Sequence, residues 1–367
     1  MSKLPSHIAI LLPGLHGGGA ERIMLHLAEG LAERELSVDL LLARTEGPYM
    51  SLVSPRVKVI SLGERGLLAG LPRLLRYLRY EQPEFIISAL EPANVVALVA
   101  KRLARVNTRL VLTVHSTLSV HLPNVVRGKF RVIPFLVPRI YPWADWVVAV
   151  SHGVAKDLVQ TMGIDCRLIR VINNPVVTPA LFAQAEEPLD HPWFISGEPP
   201  VVLGVGRLTL AKDFPLLIRA FAIVRAQRSV RLMILGEGED RSRLEALVRG
   251  LGLQKDVALP GFVENPYAYI ARSAIFVLSS RWEGLPTVLI EALACSTPVA
   301  STNCPSGPAE ILKNGLYGPL SPIGDPKALA DSIVAVLDHP PNKATLLQRA
   351  MDFSLDRICE QYLELLN

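Results

Sequence analysis

The chain has 367 residues, 50% of them apolar and 20% charged, and a mean hydropathy of +0.32. Its length suits two domains with cores of their own, and its apolar content and modest net charge of +4 exclude a disordered chain. The total hides a split: residues 1–180 carry 21 Lys and Arg against 13 Asp and Glu, a net +8, whereas residues 181–367 carry 17 against 21, a net −4.

The first strand is expected at His7–Leu12; it runs directly into Gly17-Gly18-Gly19, a pattern unlike a signal peptide. Ala20–Arg34 then repeats Ile23, Leu27 and Leu31 at helical spacing. Further strands are expected at Val38–Ala43, Val57–Leu62, Phe85–Ala89, Leu110–His115, Trp146–Ser151 and Leu168–Ile172. Phe130–Val150 is the most apolar stretch, but Arg131, Arg139, Asp145 and three prolines leave it short of the ~20 clean residues of a membrane span. Six prolines between 175 and 200 break the pattern, and 181–199 reads as a linker. Alternation resumes with strands at Val201–Val205, Leu232–Leu235, Val257–Leu259, Ile275–Ser279 and Pro298–Ser301; 343–367 reads as a terminal helix. Short apolar strands alternating with helices mean parallel sheets covered on both faces. The expected architecture is therefore α/β: a doubly wound domain over 1–180, a second over 200–342, and ligands at the carboxyl ends of the strands.

Cys166, Cys295, Cys304 and Cys359 lack metal-ligand or CxxC spacing, so reduced, buried thiols in a cytoplasmic chain are expected. Gly17–Gly19 can bring backbone amides to a phosphate at a helix start, or simply make a tight turn. A nicotinamide or flavin dinucleotide is disfavoured. G-x-G-x-x-G fails from Gly17, Gly204 and Gly236, where Arg22, Thr209 and Arg241 replace the third glycine, and no acid ends the second strand.

The most informative segment is Ser279–Glu291, in which a strand leads through Glu283-Gly284-Leu285 to Pro286 at the first position of a helix. Glu291 then lies roughly 8 Å along that helix. Two carboxylates so placed can hold two hydroxyl-bearing ends of one ligand, with first-turn amides facing a diphosphate between them. Spacing alone does not establish this, since Glu21 and Glu29 share it on an ordinary-looking helix. Arg207 and Lys212, just after the strand Val201–Val205, are matching cations for a leaving diphosphate, or else solvated surface charges. His115 ends a strand, a place that fits a structural or a catalytic histidine.

In order and spacing, these motifs resemble glycosyltransferase family 4, retaining enzymes of the GT-B fold. The resemblance spans nearly the whole chain: Gly18–Glu21, His115, Val150–Gly153, Asn173–Pro175, Gly206–Leu208, Gly236–Gly238, Gly261–Val263, Glu283–Glu291 and Cys304–Glu310. It implies two Rossmann-like domains facing across a cleft, a nucleotide-sugar donor in the second and an acceptor on the first, with residues 343–367 packing back on the first. By resemblance, Glu291 binds ribose hydroxyls, Glu283 the sugar, Arg207 and Lys212 the diphosphate, and backbone at Phe262 and Val263 the base. Gly18 approaches the diphosphate and His115 the reacting sugar; Gly19, Gly236, Gly284, Leu285, Pro286 and Thr287 complete the implied donor side. No metal or other cofactor is implied, and the sequence has no Asp-x-Asp triplet. One departure stands out: family members often have Gln or Glu before the lysine and glycine after it, and here Ala211 and Asp213 flank Lys212, so Asp213 is expected to weaken its charge.

The implied reaction moves a sugar, on family grounds a UDP-linked hexose or N-acetylhexosamine, to an acceptor hydroxyl with retention. A retaining glycosidase would need carboxyl groups about 5–5.5 Å apart across the scissile bond. The window 101–140 holds eight cations and no acid, mixed with apolar residues, which suits an anionic membrane surface and a lipid-linked saccharide acceptor in polysaccharide or surface-glycan assembly. That places the protein in the cytoplasm or peripherally on the inner face of the cell membrane. The alternative for the window is a globular domain with scattered charges. Nucleic acid is not expected, because the window offers few aromatics for base stacking, Phe130 among them. Alternatives for the whole chain are a sugar-nucleotide-binding protein without catalysis, or a transferase acting on a soluble small molecule.

Overall fold

The computed structural model describes residues 6–63, 65–120 and 133–367. The chain divides into two compact units. One comprises residues up to Val176 together with Leu355–Asn367, and the other Val177–Ser354.

The first unit is built on a seven-stranded sheet in the order β3-β2-β1-β4-β5-β6-β7, all neighbours parallel. Its strands are β1 (His7–Leu12), β2 (Ser37–Leu42), β3 (Lys58–Ser61), β4 (Phe85–Ala89), β5 (Arg109–Val114), β6 (Trp146–Ala149) and β7 (Ile169–Val171). Central strands such as β1 and β4 are buried almost throughout, which is why their sequences are continuous apolar runs rather than alternating ones. Ile8, Ile10 and Leu12 pack with Leu27 and Leu31 of the helix Gly19–Ala32 and with Leu355, Ile358 and Tyr362 of the terminal helix Leu355–Leu366. Gly30 permits that helix–helix approach: a Cβ there would lie 2.6 Å from Cys359 Sγ and 2.8 Å from Leu355 Cδ1.

The second unit has a six-stranded parallel sheet in the order β10-β9-β8-β11-β12-β13. Its strands are β8 (Val201–Val205), β9 (Arg231–Leu235), β10 (Val257–Gly261), β11 (Ile275–Leu278), β12 (Val299–Thr302) and β13 (Leu320–Ser321). Its core joins Val202, Ile234 and Val277 to Phe214, Leu217, Phe221 and Ile333. In both sheets the chain builds outward from the first strand and then crosses to its other side. The crevices at these reversals, between β1 and β4 and between β8 and β11, are the ligand positions of open α/β sheets.

Three expectations need correction. The 181–199 stretch is not a bare linker: Thr178 caps a helix over Pro179–Glu186 by accepting from Leu181 N, and Asn265 and Arg272 bond to the carbonyls of Gln184 and Ala185. Residues 343–367 are two helices, Lys343–Ala350 in the second unit and Leu355–Leu366 in the first. Of the thiols expected to be buried, Cys304 and Cys359 are, whereas Cys166 is exposed.

Candidate active site

In the second unit, the loops leaving β8, β9, β10, β11 and β12 are bonded to one another by main chain. Gly236 N donates to Gly261 O at 2.7 Å, Gly206 N to Leu235 O at 3.0 Å, and Leu208 N to Glu237 O at 2.9 Å. The approach is so close that a Cβ on Gly236 would sit 2.1 Å from Gly206 O, and one on Gly238 2.3 Å from Leu208 O. Gly236 therefore serves backbone packing. Its amide is taken by Gly261 O.

At the β8/β11 crevice Lys212 Nζ donates to Glu283 Oε1 at 2.6 Å, and Ser280 Oγ to the same oxygen at 2.7 Å. Both partners are largely buried, with side-chain exposures of 21% and 13%, so removing either would strand a charge in a poorly solvated place. Asp213 does not compete for Lys212. Its carboxylate accepts from Arg281 Nε at 2.8 Å, which corrects the expected weakening of the lysine charge. Arg207 is exposed, and among the described residues no carboxylate pairs with it. Pro286 is the N-cap residue of the helix Thr287–Ala294, one position before the expected first helical turn. Gly284, Leu285 and Pro286 are buried, held from behind by Ser306 Oγ donating to Gly284 O at 2.7 Å and by Glu283 N donating to Pro305 O at 3.3 Å. Thr287 is half-buried, Glu291 is buried in the same helix, Phe262 is 58% exposed beyond β10, and Val263 is half-buried.

In the first unit, His115 follows the end of β5. Thr113 Oγ1 donates to Ser88 O at 3.0 Å, and its other short contact is His115 Nε2 at 3.0 Å. A hydroxyl has one proton, so when Thr113 gives it to Ser88 O the imidazole donor is Nε2 and Nδ1 is the acceptor. Nδ1 is buried and has no hydrogen-bond partner among the described residues. Burial pushes the imidazole pKa down to about 4, so it is neutral near pH 7. The glycine loop differs from expectation: Gly17 and Gly18 amides donate to Glu21 Oε2 at 2.9 and 3.1 Å, so they face a carboxylate rather than a free phosphate site. Glu21 is thus the loop's anchor and not the bystander its spacing suggested. Gly18, at φ −81°, is nevertheless under no local compulsion to be glycine, because a Cβ would meet nothing nearer than Glu21 Cδ at 3.6 Å. Gly19 opens the helix.

Comparison with known proteins places this arrangement. Residues 17–178 match the glycosyltransferase family 4 model and residues 186–352 the glycosyl transferases group 1 model. The chain is 30% identical, over 94% of its length and 95% of the relative's, to the N-acetylgalactosamine-N,N'-diacetylbacillosaminyl-diphospho-undecaprenol 4-alpha-N-acetylgalactosaminyltransferase of Campylobacter jejuni. The chain belongs to glycosyltransferase family 4. It is 29% identical to the lipopolysaccharide core biosynthesis glycosyltransferase LpsE of Rhizobium meliloti over 95% of the chain and 96% of that protein. The fold is that of GT-B enzymes: the Anabaena HepE structure in complex with UDP-glucose superposes with a TM-score of 0.79, covering 98% of both chains at 23% identity.

The glycosyltransferase has no helix, among the described residues, long and apolar enough to cross a membrane, and no group of three His, Cys, Asp or Glu able to hold a metal. Three cations of its basic window have partners within the chain. Lys101 pairs with Asp145, Arg102 stacks 4.8 Å from the Trp143 ring centroid, and Arg109 lies 5.1 Å from that of Phe85, all internal contacts. Arg109 opens β5 at the edge opposite His115, about 20 Å away at 3.3 Å per residue. Arg127, Lys129 and Arg131 lie outside the described residues. Sequence reasoning missed Ser280, Arg281, Ser306 and Gly307, which support the site without being candidates for ligand contact. Gly307, at φ +98° with Pro286 Cδ 2.4 Å from where its Cβ would be, had its signal in the Cys304–Glu310 motif.

Proposed function

We propose that this glycosyltransferase transfers a sugar from a UDP-sugar, a hexose or N-acetylhexosamine, to a hydroxyl of a lipid-linked saccharide with retention of configuration. The observation that carries the reading is the Lys212–Glu283 pair at the β8/β11 crevice, with exposed Arg207 in the same loop as Lys212 and the helix Thr287–Ala294 starting four residues after Glu283. In this reading the leaving diphosphate lies against Arg207, Lys212 and the first-turn amides, which stabilise charge as the glycosidic oxygen–carbon bond breaks. Glu283 and Glu291 accept from sugar and ribose hydroxyls, and the base meets Phe262 and Val263. The leaving phosphate takes the acceptor's proton as the new bond forms on the face it vacates. His115, held neutral near pH 7 by burial, lies by the reacting sugar. The Campylobacter relative, whose named substrate is diphospho-undecaprenol-linked, supports a lipid-linked acceptor, and HepE with UDP-glucose supports a uridine donor.

The proposal extends to peripheral contact with an anionic membrane at the cytoplasmic face, carried by the part of the 101–140 window that follows His115. Incubation with a panel of nucleotide sugars, with and without a polyprenyl-diphosphate saccharide, tests the reading. UDP release that rises with the lipid-linked acceptor is expected. Binding of UDP without release from any donor would mark an inactive binder, and acceptor-independent flotation failure on anionic vesicles would remove the membrane contact.

A further inference from the structure

Asp213 departs twice from the commonest use of an aspartate before a helix. It adopts φ 45° and ψ 46°, the left-handed region natural to glycine, and it stands at the N-cap of Phe214–Arg225 without its carboxylate capping that helix. The carboxylate is buried instead against Arg281, whose Nε donates to Oδ2 at 2.8 Å. This ion pair is one of a consecutive set. Arg281 N donates to Ala211 O at 2.8 Å and Ser279 Oγ to Lys212 O at 2.8 Å. Residues 211, 212 and 213 are thus each tied to the loop after β11, and from that fixed main chain Lys212 Nζ reaches Glu283 at 2.6 Å.

We propose that Asp213 and Arg281 are a positioning pair: they lock the two loops of the β8/β11 crevice in register and so aim Lys212 at Glu283 and at the donor diphosphate. The pair also explains how a non-glycine residue is tolerated after the lysine. A glycine would supply the backbone shape alone; aspartate supplies the shape, at a conformational cost, together with a link across the crevice. Arg281 at the same time neutralises the carboxylate next to Lys212, leaving the ammonium to Glu283 and the ligand. The catalytic part of this inference rests on the donor site proposed above, whereas the locking of the loops does not.

Asp213→Gly is the decisive variant, because glycine takes the left-handed conformation without strain and should leave Tm unchanged or higher. If the pair positions Lys212, Asp213→Gly and Arg281→Gln each lower kcat about 10–100-fold with a smaller change in the donor KM, since misplacement by an ångström is that costly. The double variant is then no worse than either single one, and Arg281→Lys recovers part of the loss. Amide hydrogen exchange of the full chain without ligand gives a second readout. Asp213→Gly should speed exchange in 279–285, where the new glycine adds no freedom of its own, and Arg281→Gln should speed it in 207–213. Wild-type kcat in Asp213→Gly, or unchanged exchange in both loops, overturns the proposal. Should the wild-type protein release no UDP from any donor, the functional reading fails, and the exchange experiment still decides whether the pair locks the loops.

Discussion

The two sheets share a winding but finish their ligand edges differently. The edge of the second unit is braced: Gly236 presses on Gly206, Gly307 on Pro286, and the loops of β8 and β11 are joined by two ion pairs. The edge of the first unit keeps buried polar atoms that have no partner among the described residues, namely His115 Nδ1, Ser88 Oγ and Asn94 Oδ1, and a Gly18 that nothing forces to be glycine. A braced edge suits a ligand whose charge must be met by fixed groups. Below the first edge those buried groups are out of reach of solvent, so they constrain substitution there rather than form a binding surface. The difference teaches that equivalent positions in the two units tolerate change for opposite reasons.

The sharpest contrast lies in turnover. Arg207→Ala should lower kcat by about 10²–10³ if the arginine stabilises the leaving diphosphate, with little change in Tm because it is exposed and pairs with no carboxylate among the described residues. Wild-type turnover would remove Arg207 from the mechanism. Lys212→Ala should lose a similar factor and also destabilise the protein, since it strands Glu283.

A pair of glycine substitutions sharpens the comparison through stability. Gly236→Ala should cost several kcal/mol or prevent folding, since its Cβ would lie 2.1 Å from a carbonyl oxygen at φ +133°. Gly18→Ala should leave Tm nearly unchanged, because φ −81° and ψ 151° suit alanine and the space is open. Thermal melting separates the two, and equal melting temperatures would show that the second edge is not braced as described.

Acid should weaken the first unit. Burial holds His26 and His115 down to about 4, whereas the unfolded chain takes up protons at the ordinary 6.5. The unfolded state therefore binds more protons, so stability is complete above pH 6.5 and declines as pH falls toward 4, by about 1–2 kcal/mol per histidine between pH 7 and 5. Urea unfolding at the two pH values should show the decline, and His115→Gln should flatten it. A smaller local effect belongs to Gly30→Ala, where a Cβ 2.6 Å from Cys359 Sγ overpacks the terminal helix by about 1–3 kcal/mol.

Much of the fold was legible because buried parallel strands are nearly continuous apolar runs, and β1, β4 and β8 begin and end where that pattern does. β13 escaped because two residues make no pattern, and the helix Pro179–Glu186 was obscured by prolines that in fact start it. At the site, Lys212 and Glu283 were readable as charged residues after strands, but their contact was not, since 70 residues of chain intervene before β11 brings them together. The roles of Glu21 and Asp213 were misread for one reason. A glycine or an acid beside a ligand loop has the same spacing whether it faces the ligand or the neighbouring loop, and only the partner's coordinates distinguish these.

The central claim is that the braced edge of the second unit holds a nucleoside diphosphate. Calorimetric titration of UDP into the wild-type protein, Glu291→Gln and Gly18→Ala tests it most directly. The account predicts UDP binding to the wild type, an affinity at least about tenfold weaker in Glu291→Gln, as for the loss of a charged hydrogen bond, and a smaller change in Gly18→Ala. UDP affinity unchanged by Glu291→Gln but abolished by Gly18→Ala would contradict it.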